Sequence, residues 1–306
     1  MTFILITPIK DEAKNILKLK ETILNQTVKP LIWVIGDANS KDGSFEIAKE
    51  LFRDYEWIHV ISQKTFFESG YSHRNIACNL NDCYKYAKEA LKNSNNFSFI
   101  ARTDVTPVLS CDYFDVLIGE MERDPKIAFA CGLQYLHFKN SKIRFSQLAG
   151  ISNTGFNDQG VYRREFLEEM GGFPVTYSPE TVLQIKALNR GWHLKLTDRT
   201  CFIKSRLGGS KIGVWNGYKL KGKVYYNLGY PISLVLIKTL YSCFKLTPKN
   251  IAILSGYFLS AIKREEKIED EEVIEYFGKR RLKEVYSDLI KFLYFFKREK
   301  KVQHVD

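Results

Sequence analysis

Five short apolar runs, each closed by polar residues, punctuate the first half of the chain: Phe3 to Ile6, Leu31 to Ile35, Ile58 to Ile61, Phe97 to Ile100 and Ile127 to Cys131. The run from Leu31 is unbroken between Pro30 and Gly36, the pattern of a strand buried on both faces. Between the runs the period lengthens. Ile16, Leu17, Leu19, Ile23 and Leu24 recur at helical spacing across Ala13 to Gln26, and Asn75 to Leu91 and Tyr113 to Arg123 read as further helices. Strands alternating with helices predict an α/β fold on a doubly wound, mainly parallel sheet.

In open sheets of this kind, ligands bind beyond the carboxyl ends of the strands, so the residues that follow each run carry the chemistry. The Leu31 run feeds Gly36-Asp37-Ala38-Asn39-Ser40-Lys41-Asp42-Gly43-Ser44, with Asp37 at the strand tip and Ser44 placed to cap a helix. Asp, Asn, Ser and Gly are also ordinary turn residues, and taken alone this segment reads equally as a plain turn. The first run ends in Thr7-Pro8-Ile9-Lys10-Asp11-Glu12, and the fourth runs into Ala101-Arg102-Thr103-Asp104 ahead of Pro107. Asp104 stands where a ligand to a divalent metal is expected.

Read together, these motifs resemble the inverting family 2 glycosyltransferases of the GT-A fold over roughly residues 1 to 200. Thr7 to Glu12 is similar to that family's first loop, usually Pro-x-x-Asn-Glu, with Asp11 where Asn is common. Asp37 to Ser44 is similar to its Asp-x-x-Ser-x-Asp-Gly-Thr segment, and Arg74-Asn75 to the Arg-Asn that opens its third helix. Arg102-Thr103-Asp104 sits where the family has Asp-x-Asp. Gly160 to Glu165, then Gly171-Gly172-Phe173-Pro174, resembles an acceptor-side loop and helix; Pro179-Glu180-Thr181-Val182-Leu183, continuing to Arg190-Gly191-Trp192, resembles the Glu-Asp-x-Asp-Leu helix start and its Gly-aromatic sequel.

The resemblance implies a nucleotide-sugar donor, a UDP-sugar in the first instance, held by Thr7, Pro8, Lys10, Asp11, Glu12, Asp37, Ser40, Arg74, Arg102, Thr103 and Asp104. It places Asp37 against uracil, the first loop against the nucleoside, and Mg²⁺ or Mn²⁺ on Asp104. It makes Glu180 the base that takes the acceptor hydroxyl's proton, and Arg163 a diphosphate or acceptor contact. Two departures stand out. Arg102 replaces the first acid of Asp-x-Asp, which puts metal dependence in question, and the base position holds Glu180, one methylene longer than Asp. Each residue also has a plainer reading. Glu180 suits a helix start through the macrodipole, Asp104 a turn cap, and Arg74 a surface ion pair; of the adjacent Arg163 and Arg164, one faces the site.

Charge is unevenly spread. The net +11 falls almost wholly within residues 201 to 250, where nine Lys and Arg meet no acid. Such a stretch suits phosphate or an anionic surface. Its glycine-rich part around Arg206 to Gly213 is expected to move and close over the donor, with Arg206 or Lys211 on the diphosphate. A solvated basic loop is the alternative. The expected organisation is a catalytic domain over 1–205, a basic mobile loop over 206–225 and a helical extension over 226–306.

The extension holds two apolar runs, Pro231 to Phe244 and Ile251 to Ile262, both short of the roughly 20 residues a spanning helix needs. With Tyr225, Tyr226, Tyr230, Tyr241, Tyr257 and flanking lysines, they suit helices lying in an anionic membrane surface; an internal helical pair or an oligomer contact fits equally. Six cysteines without C-x-x-C spacing and an amino terminus too brief for a signal-peptide core point to a cytoplasmic protein, and the interfacial reading of the two apolar runs would set it at the inner membrane face. The reading is a glycosyltransferase acting on a polyprenyl-linked or polysaccharide acceptor. A non-catalytic nucleotide-binding scaffold is the alternative; a sugar-phosphate nucleotidyltransferase is disfavoured because Thr7 to Glu12 lacks glycine, and nucleic acid is not expected as a partner.

Overall fold

The computed structural model describes residues 2–67, 72–92, 97–138, 141–144, 159–204, 213–244 and 251–280. They fall into two compact units, one ending at 204 and one beginning at 213.

The first unit is a mixed sheet between two helical layers. Its strands are β1 (Phe3–Ile9), β2 (Ile32–Asp37), β3 (Ile58–Ser62), β4 (Phe99–Arg102), β5 (Val108–Leu109), β6 (Ile127–Phe138), β7 (Ser141–Arg144), β8 (Gly160–Arg163) and β9 (His193–Lys204). Their order is β3-β2-β1-β4-β8-β6-β9-β5, with β7 paired to β6. β3, β2, β1 and β4 are mutually parallel, and β6 pairs β9 in parallel, whereas β8 runs antiparallel to both β4 and β6. The unbroken apolar runs serve both faces at once. Phe3, Leu5, Trp33 and Ile35 point into one core with α1 (Ile16–Leu24), α2 (Ser44–Phe52) and α4 (Tyr113–Arg123). Ile4, Ile6, Ile32 and Val34 point into the other with α3 (His73–Ala90), α5 (Arg164–Glu169) and α6 (Pro179–Asn189). Each such fully buried side chain contributes roughly 1.5–3 kcal/mol, so this two-sided burial is what fixes the sheet.

Gly36 permits the tight seat of α3 on β2. A β-carbon there would stand 2.1 Å from Asn79 Oδ1, and Asn79 Nδ2 donates to the Gly36 carbonyl at 2.8 Å.

The structure departs from the sequence reading at the far side of the sheet. Gly160 to Arg163, expected in an acceptor-side loop, forms strand β8, wedged between β4 and β6. The run from Phe97 begins pairing at Phe99 and extends through Arg102, so Arg102 lies inside the strand instead of beyond its end.

The second unit is helical: α7 (Val214–Asn227), α8 (Ile232–Phe244), α9 (Ile251–Ile262) and α10 (Glu271–Glu275), followed by a π turn at Tyr276–Arg280. The described part of 206–225, expected as a mobile loop, is thus largely helix; Arg206 and Lys211 lie outside the described residues. Tyr225 stacks on Tyr230 at 4.4 Å, and Tyr230 on Phe277 at 3.9 Å. The Tyr257 hydroxyl donates to the Tyr230 carbonyl at 2.7 Å. Tyr225, Tyr230 and Tyr257 are all buried, so these rings, expected at a membrane interface, form this unit's own core. No helix among the described residues is long and apolar enough to cross a membrane.

Candidate active site

Parallel pairing of β1 with β2 sets Ile9 beside Asp37, and pairing with β4 sets Ile6 beside Arg102, so the loops following all three strands leave from one sheet edge. The loops after β1 and β2 are stapled together. Asp11 N–H donates to Ser40 Oγ at 2.9 Å, Lys41 N–H to Asp11 Oδ1 at 2.8 Å, Glu12 N–H to Ser44 Oγ at 2.8 Å and Ala13 N–H to Asp42 Oδ2 at 3.0 Å. Lys10 Nζ donates to the Ala38 carbonyl at 2.8 Å. Asp11 and Asn39 hold left-handed backbone, φ 50° and 58°, a conformation these two residue types tolerate best after glycine. Asp11 and Lys10 thus each bond to the neighbouring loop.

Asp42, outside the expected site residues, is one of these staples. Burial pushes its carboxyl up, but the hydrogen bonds from Ser44 and the Ala13 amide outweigh it and hold it below the ordinary aspartate range. Because the folded value is depressed, the stabilisation is full above the ordinary range and fades as the pH falls through the lowered value. Asp42→Ala is expected to cost ~1 kcal/mol, as loss of a cap does, at neutral pH, and thermal melts of the two proteins should converge in acid.

Asp37 closes β2 with its side chain inside. It is 3 % exposed; Oδ2 accepts from Ser40 N–H at 2.9 Å, while Oδ1 is buried with no hydrogen-bond partner among the described residues. A buried carboxylate oxygen left unmatched is costly. Thr7 is turned inward, accepting from Trp33 Nε1 at 3.0 Å, and Pro8 pairs with Gly36 in the sheet.

β4 delivers the ionic half of the site. Arg102 is 2 % exposed and donates through Nη1 to Glu180 Oε1, while Nη2 lies 3.6 Å from Asp104 Oδ1. Lys204, at the end of β9, puts Nζ 3.9 Å from Asp104 Oδ2. Glu180 comes from the first turn of α6, where Pro179 opens the helix and an acid is favoured by the dipole. Gln159, buried and absent from the sequence reading, fixes the tip: its Oε1 accepts from Thr103 Oγ1 at 3.0 Å and from Asp104 N–H at 2.6 Å. A lone glutamine carries no motif signal. At the head of α3, the Arg74 guanidinium is sandwiched between Phe67 and Tyr177 at 4.4 and 4.5 Å, and Asn75 Oδ1 receives Phe67 N–H at 2.8 Å. Tyr177 lies three residues before Glu180 in the sequence.

Arg163 is not among the residues brought together. It pairs with Phe99 at the opposite end of β4, and its guanidinium donates to the carbonyls of Ile127, Met121 and Asp124.

The divalent metal expected at Asp104 does not fit these residues. Among the described residues no group of three or more His, Cys, Asp or Glu could hold a metal ion. Asp104 is a single carboxylate within 4 Å of two cations, and Glu180 is engaged by one of them. Unit charges 4 Å apart interact by ~4 kcal/mol at an effective dielectric of about 20, so both cations compete with a metal for that carboxylate.

No protein-family model and no curated protein sequence matches the chain. Solved structures do. A mannosyltransferase from Pyrobaculum calidifontis, in complex with GDP-Man and Mn²⁺, aligns with a TM-score of 0.54 at 16 % identity over 73 % of this chain and 61 % of that one. S. aureus TarS 1–349 in complex with UDP aligns at 0.50 and 14 % identity over 72 % and 64 %. Its UDP-GlcNAc complex aligns at 0.50 and 14 % over 73 % and 65 %. The chain thus spans under two thirds of the length of each of these structures. Its sheet order, its two helical layers and these alignments give it the GT-A-type fold of nucleotide-sugar glycosyltransferases.

Proposed function

We propose that the chain is an inverting glycosyltransferase that moves a sugar from a nucleoside diphosphate donor to a hydroxyl of a glycan or polyprenyl-linked acceptor. The observation that carries the reading is the buried, unmatched Oδ1 of Asp37 at the tip of β2, on the same sheet edge as Arg102, Asp104 and Glu180. An oxygen in that state accepts an N–H, and the imide of uracil or the amide of guanine offers one. The nucleotides bound by the two neighbouring enzymes, UDP and GDP-Man, are of that kind. In the proposed reaction the acceptor oxygen attacks the anomeric carbon as its proton passes to a Glu180 carboxylate oxygen, and the diphosphate departs toward the cations beside Asp104.

Asp37→Ala is expected to weaken UDP or GDP binding by about 10- to 100-fold, the scale of one charge-assisted hydrogen bond, in isothermal titration. Unchanged affinity would remove the nucleobase assignment. Transfer and hydrolysis assays with a panel of UDP- and GDP-sugars, with Asp104→Asn as control, test the reaction itself. A second reading, a nucleotide-binding scaffold without turnover, is favoured by the Arg102 guanidinium seated on Glu180. Binding without transfer or hydrolysis across the panel would select it. The membrane-surface assignment of the second unit is tested by flotation with anionic liposomes at low and high salt.

A further inference from the structure

We infer that this site binds its diphosphate without a divalent metal, the fixed cations Arg102 and Lys204 standing in the metal's place. The inference rests on the nucleotide-donor reading above and adds to it how the diphosphate charge is met. Arg102 occupies the position where the resemblance leads one to expect an acid, and its side chain is neither turned away nor exposed. It is 2 % exposed and bridges two carboxylates 76 residues apart in sequence, Asp104 and Glu180. Lys204 approaches the other oxygen of Asp104. The four groups are two cations and two anions, self-neutralising when no donor is bound. Such an arrangement accepts a diphosphate by exchange: phosphate oxygens take over guanidinium and ammonium donors that the carboxylates hold at rest.

Two features suit these cations to that task. Guanidinium is always charged, and its planar donors match phosphate oxygens in pairs. The tip that carries Asp104 is also held rigid by Gln159, so the cations face a fixed edge. Exchange has a consequence for Glu180. While Arg102 holds it, its Oε1 is engaged; once a diphosphate claims Arg102, that oxygen is released toward the acceptor. Donor binding thereby readies the base, and Arg102 acts on Glu180 as a positioning residue as well as on the diphosphate.

The test is isothermal titration of UDP and GDP into the full chain, in EDTA and in Mn²⁺, for wild type, Arg102→Asp, Arg102→Gln and Lys204→Gln. Wild type should bind with an affinity that changes by less than about twofold between the two conditions, and each Gln variant should lose about 10-fold or more. Arg102→Asp recreates an acidic pair with Asp104: its binding should be weak in EDTA and recover in Mn²⁺, and its melting temperature should rise with Mn²⁺ while that of wild type stays put. Should Arg102→Asp fail to fold, the Gln variants carry the test. Binding by wild type only when Mn²⁺ or Mg²⁺ is present would overturn the metal-free inference and leave the donor reading standing. Metal-insensitive binding that the Gln variants leave intact would also overturn it. Absence of nucleotide binding in every condition would instead remove the donor reading, and this inference with it.

Discussion

Glu180→Gln should lower turnover by roughly 10²- to 10⁴-fold, the usual worth of a positioned general base, while donor binding becomes tighter. The two effects have separate causes. Gln keeps the length and one acceptor oxygen of Glu but cannot take a proton at neutral pH, so the attacking hydroxyl loses its base. It also holds Arg102 less firmly than a carboxylate does, since charge-assisted hydrogen bonds are about twice as strong as neutral ones. The donor then competes against a weaker partner for Arg102, and its affinity should rise by about threefold or more. Truncation to Ala would confuse the result, because stripping one partner from a buried ion pair costs about 3–5 kcal/mol and threatens the fold. Steady-state transfer kinetics and nucleotide titration on the same preparation distinguish the outcomes. Full activity in the Gln variant would remove Glu180 as base. Lost activity with unchanged nucleotide affinity would show that Arg102 does not pass from carboxylate to diphosphate.

The part of this site that was legible in the sequence is the part built by short, contiguous motifs at strand tips. Asp37 and Asp104 could be placed because an apolar run, a tip and a polar residue follow one another within a few positions, and strand tips in parallel sheets share an edge; Glu180, in the first turn of α6, was reached through the motif resemblance alone. What a residue does once there was less legible. Asp11, expected to read the nucleoside, also accepts the Lys41 amide on Oδ1 and so ties the first loop to the second. Asp42 belongs to the same motif as Asp37, yet it staples the first loop while Asp37 keeps a buried oxygen unmatched. Spacing does not separate the two.

The far side of the sheet was missed for a different reason. β8 is a four-residue strand flanked on both sides by other strands, and its Gly160 is packed 2.3 Å, measured from an added β-carbon, from the Ala130 carbonyl. A glycine in such a place reads as a loop in sequence, though close backbone approach is what requires it. β9 was hidden by its bulge. Pairing with β6 jumps from Thr197 to Cys201, leaving Asp198, Arg199 and Thr200 out of the ladder and breaking the alternation that marks a strand. That strand also carries Lys204 into the site, so the second cation beside Asp104 depended on an element the residue pattern does not announce. Arg163 was misplaced by the same omission: read as a loop residue it could face a ligand, but strand β8 runs antiparallel and carries it to the opposite end of β4.

In the helical unit, Gly222→Ala or Gly256→Ala should each destabilise by ~3 kcal/mol or more, the high end for a single methyl group. The two glycines lie where α7 and α9 cross, each against the other helix's backbone. A β-carbon on Gly222 would come within 2.0 Å of the Ile253 carbonyl oxygen and 2.7 Å of the Tyr257 nitrogen. One on Gly256 would come within 2.0 Å of the Lys219 carbonyl oxygen. Backbone cannot rotate aside as a side chain can, so the helices must part. Parting them would loosen the contacts that depend on the approach: the Tyr257 hydroxyl on the Tyr230 carbonyl, the edge of Tyr226 on Tyr257 at 5.5 Å, and through Tyr230 the stack with Tyr225 and Phe277. Gly119 supplies the contrast. It sits within α4 with nothing inside 4 Å of an added β-carbon, so Gly119→Ala should be neutral or stabilise by up to ~1 kcal/mol through helix propensity alone. Denaturant titrations of the three variants, with amide exchange of peptides from α7 and α9, measure the difference. Equal stabilities for Gly119→Ala and Gly256→Ala would mean that the helices do not approach at these glycines, and that the buried tyrosines owe their place to some other contact.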